Sequence, residues 1–328
     1  MEVFSIVILL FSFLLLLSIG TPVAWSIIIS SLFTLLVSVP FLPALTTISQ
    51  RMATGIDSFA LLAIPFFILS GELMNKGGVA HRLVAFAKAL VGFLPGGLAL
   101  INVISAMLMG SVAGSAMASA SAMGSILGPE MEKEGYSKGF GVAINITSAT
   151  TGLVIPPSNI LIVYSLASGG ASIAALFLAG YIPGILTGLF LMAVAMIWAK
   201  KKNFKTGKRA PLKTVFGSFV RAFPSLMLLF VVIGGIVSGV FTATEASAIA
   251  VIYTLVLGFI YKEITFKTLP TILLKSSTTT AIVMFLIGAS MSMSWVLSYE
   301  NIPEMISSGI LSLSDNKIVI LLLINFTL

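Results

Sequence analysis

The sequence contains no cysteine. Disulfides, thiolate metal sites and thiol nucleophiles are therefore excluded. Charge is scarce as well: of 328 residues, only 9% are Asp, Glu, Lys or Arg, against roughly 25% in an average soluble domain. The 18 basic and 11 acidic side chains cannot clothe a water-soluble body of this size. There is one histidine, His81, and the only aspartates are Asp57 and Asp315. A serine–histidine mechanism needs a base beside its nucleophile, and an aspartyl mechanism needs two aspartates side by side. An intramembrane hydrolase thus finds little support. No G-x-x-x-x-G-K-[ST] loop occurs, which removes an ATP-driven pump.

What is present is apolar. Hydrophobic residues make up 58% of the chain, and the mean hydropathy is +1.13. The solvent for most of the surface is a lipid bilayer. The net charge of +7 reflects basic cytoplasmic loops, and no nucleic acid is expected as a partner.

A spanning helix needs about 20 mostly apolar residues. Runs at 3–19, 23–39 and 58–74 qualify or come close, with a break at Gly20-Thr21-Pro22 and a more polar stretch from Pro40 through Asp57. The N-terminal flank has Glu2 and no basic residue, so the first run reads as a retained helix and not a signal peptide. Residues 79–93, with His81, Arg82 and Lys88, are too polar to span and are expected to lie along the interface. Full spans are expected at 171–199 and 224–241. Between them lies the densest basic cluster, Lys200 to Arg209, which the positive-inside rule places in the cytoplasm. Counting back puts Lys76, Arg82, Lys88, Lys133 and Lys138 on the same side and Met1 outside.

Two segments are wrong for plain helices. Residues 97–128 form one apolar run that as a straight rod would reach about 48 Å, beyond a hydrocarbon core of about 30 Å. Its middle, Gly110-Ser111-Val112-Ala113-Gly114-Ser115, is a natural place to turn. The expectation is a re-entrant hairpin, tolerated where protein or water satisfies the tip backbone. Ser111, Ser115 and Ser119 recur every four residues and would share a face of the second arm; close helix packing by small residues is the other reading of these serines. The second segment, 139–168, is interrupted by Gly152 and by Pro156-Pro157. Proline and glycine there free backbone carbonyls. Asn145, Thr150, Thr151, Ser158 and Asn159 surround the break, a dense set of neutral oxygen ligands. Such hard ligands suit an alkali cation better than a transition metal, while half-helix N-termini point positive charge at anions. A plain proline kink remains the alternative.

Residues 22–35 lie on 242–255 at an offset of 220. The runs 3–19, 23–39 and 58–74 then match 224–241, 243–261 and 276–298, and 79–93 matches 302–314. An odd number of crossings between the halves makes them inverted repeats. Lys317 to Leu328 falls where the first hairpin arm begins. A complete second half would run about 90–100 residues further, so a truncated chain is expected.

Several motifs now resemble a known family. The run Ile64-Pro65-Phe66-Phe67-Ile68-Leu69-Ser70-Gly71-Glu72-Leu73-Met74-Asn75-Lys76-Gly77-Gly78, the tip Gly110 to Ala116 and its lead-in Gly96-Gly97-Leu98-Ala99, the Phe241 to Ala248 stretch and the break Gly152 to Pro157 resemble the large membrane subunit of tripartite ATP-independent periplasmic (TRAP) transporters. The likeness covers essentially the whole chain. It implies an all-α polytopic membrane protein with an elevator fold. Scaffold helices and an arm would occupy 1–93, the transport hairpin and broken helix 94–170, a span and basic loop 171–213, the second scaffold set 214–315, and the start of a second hairpin 316–328. It also implies Na⁺-driven import of organic acids such as C4-dicarboxylates or sialic acids across the bacterial inner membrane. The implied partners are a small membrane (Q) subunit and a periplasmic substrate-binding protein. The implied Na⁺ ligands are Ser111, Gly114 and Ser115 with Gly152, Ile155 and Pro156, largely through backbone oxygens. Ser119, Asn145, Thr150, Thr151, Ser158 and Asn159 are expected to face the substrate. A self-sufficient Na⁺/carboxylate symporter of similar fold is the alternative.

Among the remaining residues, Glu245 after Thr242-Ala243-Thr244 reads as a helix-capping acid, and Glu72 as structural too. Asp57 before Ser58 reads as a helix start, and His81 as a surface residue. Trp25 and Trp295 either anchor at interfaces or fill helix contacts.

Overall fold

The computed structural model describes residues 2–202, 204, 207, 209–313 and 316–327. Asn203, Lys205, Thr206 and Lys208 of the basic stretch, together with Met1, Ser314, Asp315 and Leu328, lie outside the described residues. The described chain is helical and has no strand, as an apolar solvent demands when every backbone group must be satisfied within its own segment.

The helices run in chain order as α1 (Glu2–Ser18), α2 (Val23–Leu35), α3 (Phe41–Gly55), α4 (Ala63–Lys76), α5 (Val79–Val91), α6 (Gly97–Ala113), α7 (Ala116–Lys133) and α8 (Lys138–Ala149). There follow the single turn α9 (Thr151–Val154), then α10 (Asn159–Ala167), α11 (Ile173–Lys201), α12 (Leu212–Val237), α13 (Ala243–Ile260), α14 (Leu269–Tyr299), α15 (Ile302–Leu313) and α16 (Lys317–Thr327). Among the described residues five helical segments are long and apolar enough to cross a membrane: Phe59–Lys76, α11, α12, α13 and α14. A sixth candidate is the pair Lys138–Val154 and Asn159–Ala167, which bends by 50° at its break. The outer face of α11 carries Leu178, Ile182, Phe190, Val194 and Ile197, all exposed. Exposed apolar side chains in that number fit lipid and not water.

Several boundaries differ from the sequence expectation. The polar stretch after Pro40 is a helix, α3, because proline is tolerated at a helix start. Its hydroxyls fold back onto the preceding turn, as in Thr46 Oγ1 to Leu42 O, 3.0 Å, and Thr54 Oγ1 to Gln50 O, 2.9 Å. Helix α12 starts at Leu212, well before Pro224, since Lys213 and Arg221 can hold their charged heads toward water while their stems stay on the helix. Asp57 precedes a 3-10 turn, Phe59–Leu62, which leads into α4. At 17 and 13 residues, α1 and α2 are short for a span.

The chain divides into two compact units, residues 1–58 with 281–328, and residues 59–280; the division falls inside α14. In the first unit α2 and α3 enclose a core of Leu35, Ala44 and Ile48 with Val296 of α14. Trp295 packs against this core and stacks on Tyr299 of its own helix at 5.1 Å, whereas Trp25 meets Phe285 edge-on at 5.3 Å and stays half exposed. Glu300 is buried and accepts from Ser5 Oγ at 2.7 Å and from Ser38 Oγ. In the second unit α4 packs along α13 more extensively than any other pair among the described residues. The element order 79–91, 97–113 is echoed by 302–313, 317–327. In the first unit Trp25 and Leu35 of α2 meet Phe285 and Val296 of α14, and in the second α13 packs on α4.

The capping expectation for Glu245 holds. Thr242 Oγ1 accepts from Glu245 N at 3.2 Å, and Glu245 Oε2 accepts from Thr242 N at 2.8 Å, a reciprocal capping box. Glu72 forms an ion pair, accepting from Lys275 Nζ of α14 at 2.9 Å. His81 is exposed.

Candidate functional site

The run 97–128 does turn where glycine is richest. Helix α6 ends at Ala113, Gly114 adopts a left-handed conformation (φ 60°), and α7 begins at Ala116. Only glycine takes that backbone without strain. Gly114 N donates to Gly110 O at 2.8 Å, closing the end of α6. Ser115 is the N-cap of α7, its Oγ accepting from Ala118 N at 3.3 Å. The arms are tied by Ser119 Oγ donating to Ala106 O at 3.2 Å. One detail of the sequence reading is corrected. Ser111 sits in the last turn of α6, its hydroxyl donating to Leu108 O at 2.9 Å. The three serines therefore do not share a face of the second arm, because the turn at Gly114-Ser115 breaks the helical period.

The second segment is broken at residues 155–158, between α9 and α10. Proline at 156 and 157 has no N–H for the helical ladder. Ser158 caps α10, accepting from Leu161 N at 3.4 Å, while its hydroxyl donates to Leu153 O.

The hairpin tip and the break touch. A Cβ added to Gly152 would lie 2.6 Å from Gly110 Cα, and one added to Gly114 would lie 3.0 Å from Pro157 O. Thus the C-terminal ends of α6 and α9 converge, as do the N-terminal ends of α7 and α10. The last carbonyls of a helix lack intrahelical partners, and so do the first N–H groups. The place where these ends meet brings helix-end carbonyl oxygens beside helix-start N–H groups. Asn159 Oδ1 is buried here without a hydrogen-bond partner among the described residues.

Of the expected ligand positions, Ser111, Gly114, Gly152, Ile155 and Pro156 are buried and Ser115 half-buried, all at this junction. The expected substrate-facing residues divide. Thr150 is exposed, with its hydroxyl on Thr147 O at 2.7 Å. Thr151, Ser158 and Ser119 are buried, with their hydroxyls on backbone carbonyls. Asn145 lies away from the tip, with Nδ2 donating to Ala120 O at 2.9 Å. It lines a cavity of about 270 Å³ between α7 and α8 with Asn102, Gly124 and Lys138.

Two features escaped the sequence reading. Asn102 in α6 is buried, accepts from Ser148 Oγ at 2.8 Å, and approaches Asn145 Oδ1 at 3.5 Å. It joins the hairpin to α8. The other is a face of α11: an added Cβ at Gly180 would strike Val154 O, at Gly184 the Ile155 side chain, and at Gly188 Met107. Glycine every fourth residue lets the backbone of the break lie against α11. That spacing was readable in the sequence; the partner of Asn102 was not.

This geometry can be set beside known proteins. The family model described as tripartite ATP-independent periplasmic transporter, DctM component, matches residues 10–328. The chain belongs to that family. The permease is 53% identical over 326 residues to the uncharacterized protein YgiK of Salmonella typhimurium, covering 99% of this chain and 75% of that one. It is 38% identical to the sialic acid TRAP transporter large permease protein SiaM of Vibrio cholerae, over 97% of this chain and 74% of the relative. It is also 38% identical to the C4-dicarboxylate TRAP transporter large permease protein DctM of Pseudomonas aeruginosa, over 83% and 64%. The permease is thus an all-α, multi-pass membrane component of a TRAP transporter, and the family is one of transport proteins and not enzymes.

Proposed function

We propose that this permease imports organic acids of the C4-dicarboxylate or sialic acid class in symport with Na⁺. Substrate would arrive from a periplasmic binding protein, and a small membrane subunit would complete the complex in the bacterial inner membrane. Met1 would face the periplasm and the basic stretch 200–213 the cytoplasm.

The observation that carries this reading is the junction of hairpin tip and break, where two helix C-termini and two helix N-termini meet at mid-chain glycines. Ser111, Gly114, Ser115, Gly152, Ile155 and Pro156 would hold Na⁺, largely through backbone oxygens and with the Ser115 hydroxyl among the donors. Bound there, Na⁺ would offset repulsion between an anionic substrate and the local carbonyls. The donor set fits: it is made of hard, neutral oxygens, and the orphaned Asn159 Oδ1 is a buried acceptor in want of a cation or a donor. The N-terminal N–H groups of α7 and α10 would orient the carboxylate. Gly114 and the α11 glycines keep tip and break in register, so the two can move as one body past scaffold helices in an elevator step.

Uptake of a labelled organic acid into proteoliposomes holding the complete transporter tests this. Uptake is expected to require inward-directed Na⁺ and the binding protein. Ser115→Ala and Gly114→Val are expected to weaken sodium activation while leaving insertion intact. Full uptake in choline medium would overturn the coupling, and uptake without any binding protein would favour the self-sufficient symporter.

A further inference from the structure

The groove between α5 and α12 has chemistry that transport does not use. Helix α5 starts at a left-handed Gly78 (φ 70°) and presents His81 and Arg82 in its first turn. Ser218 and Arg221 come from α12, and Glu263 from the loop after α13. Together they line a cavity of about 340 Å³ open to the outside. Arg82 is held in place: Nη1 donates to Gly78 O at 2.8 Å, and the guanidinium lies 3.6 Å over the Tyr261 ring. A guanidinium has five N–H donors in a fixed fork, so most of Arg82's remain to bind. His81 and Arg221 are exposed, and among the described residues neither makes a hydrogen bond or an ion pair. Two guanidinium charges face the single carboxylate of Glu263, so the cavity is cationic even with His81 neutral.

The depth of the groove defines its ligand. Helix α12 has 26 residues and is about 39 Å long at 1.5 Å per residue, more than the core of about 30 Å. Counting about 20 residues back from Val237 reaches Ser218. Arg221 therefore stands about one turn inside the boundary, with a side chain long enough to reach the headgroup layer. From the cavity a stripe of exposed apolar side chains, Phe216, Phe219, Val220, Phe223, Met227 and Phe230, follows the helical repeat of three and four along α12. Phe219 rests on Phe86 of α5 and on Phe223, both at 5.7 Å, so the apolar wall begins beside the cationic cup.

We infer that this groove binds an anionic phospholipid, its phosphodiester between Arg82 and Arg221 and an acyl chain along the aromatic stripe of α12. Arginine matches phosphate with paired N–H bonds, and basic pockets between membrane helices on the cytoplasmic side suit such headgroups. The cup alone would accept any small phosphate. The stripe selects an amphiphile. The inference needs the chain's place in a membrane but not Na⁺ coupling, so the two stand or fall separately.

The test is native mass spectrometry of the full chain, purified in mild detergent and titrated with phosphatidylglycerol or phosphatidylcholine of equal acyl length. Phosphatidylglycerol is expected to bind selectively. Removing one basic charge near a membrane surface weakens anionic lipid binding about fivefold. Arg221→Gln should lower phosphatidylglycerol affinity by about that factor, and Glu263→Gln should raise it similarly. Because the two variants move in opposite directions, general damage to the fold does not mimic the pattern, and Glu263→Gln carries the test should Arg221→Gln misfold. Equal binding of the two lipids, or no change in either folded variant, would overturn the inference. Displacement of the lipid by millimolar inorganic phosphate would reassign the cup to a free anion. Displacement by a small membrane subunit would reassign the stripe to a protein partner.

Discussion

Gly152→Ala is the sharpest probe of the junction. A Cβ there would sit 2.6 Å from Gly110 Cα, and the atom it meets is backbone, with no flexible end to swing away. Ordinary contact lies about 1 Å further out, so the hairpin and the break would have to separate by that much. Overpacking of this kind costs about 1–3 kcal/mol. Against it stands the helical gain of alanine over glycine, about 0.8–1 kcal/mol, since Gly152 lies within α9. The net is a loss of about 0–2 kcal/mol. Gly217→Ala is the control, because Gly217 lies inside α12, is not followed by proline, and has nothing within 4 Å of its added Cβ. That variant should gain up to about 1 kcal/mol. The two alanines should therefore differ by about 1–3 kcal/mol in unfolding free energy measured in detergent. Sodium activation of uptake should shift in Gly152→Ala alone. If the variants are equally stable and equally activated by sodium, the tip and the break are not in contact and the site assembled from them is wrong.

Two further outcomes follow from the same packing. Asn102→Leu removes the shorter of the two acceptors of Ser148 Oγ (2.8 Å), leaving Asn145 O at 3.1 Å, and should cost about 0.5–1.5 kcal/mol; a double-mutant cycle with Ser148→Ala in thermal unfolding should return a coupling of about 0.5–1.5 kcal/mol, and strict additivity would dissolve the link. Lys275→Met leaves Glu72, whose side chain is 11% exposed, without its cation, at a cost of about 1–3 kcal/mol; adding Glu72→Gln should restore most of the stability, and failure to do so would mean that the pair is incidental.

Much of the architecture was legible because it rests on local chain properties. Lipid as solvent follows from composition. The hairpin turn follows from Gly110 to Ser115, and the break from Pro156-Pro157, because glycine and proline act on the backbone within one turn of where they stand. The capping box at Thr242 and Glu245 is likewise a three-residue pattern. The misreadings share a cause. Pro40 reads as the opening of a merely polar stretch and is a helix start. Lys213 reads as the end of the basic loop and lies in α12. Ser111 looked like a neighbour of Ser119 and sits across a turn. Each error came from carrying one local rule past a boundary that packing sets.

The bare order of residues determined that this chain is helical, lives in lipid, and unwinds at two places. Only the tertiary structure decided that those places meet, through Gly110 on Gly152 and Gly114 beside Pro157. It also decided that α11 offers Gly180 and Gly184 as the wall behind the break, and that Asn102 ties hairpin to broken helix. Periodicity and backbone breaks are written within a few residues. Contacts between residues some 40 apart depend on how helices pack, and a single sequence carries no local mark of that.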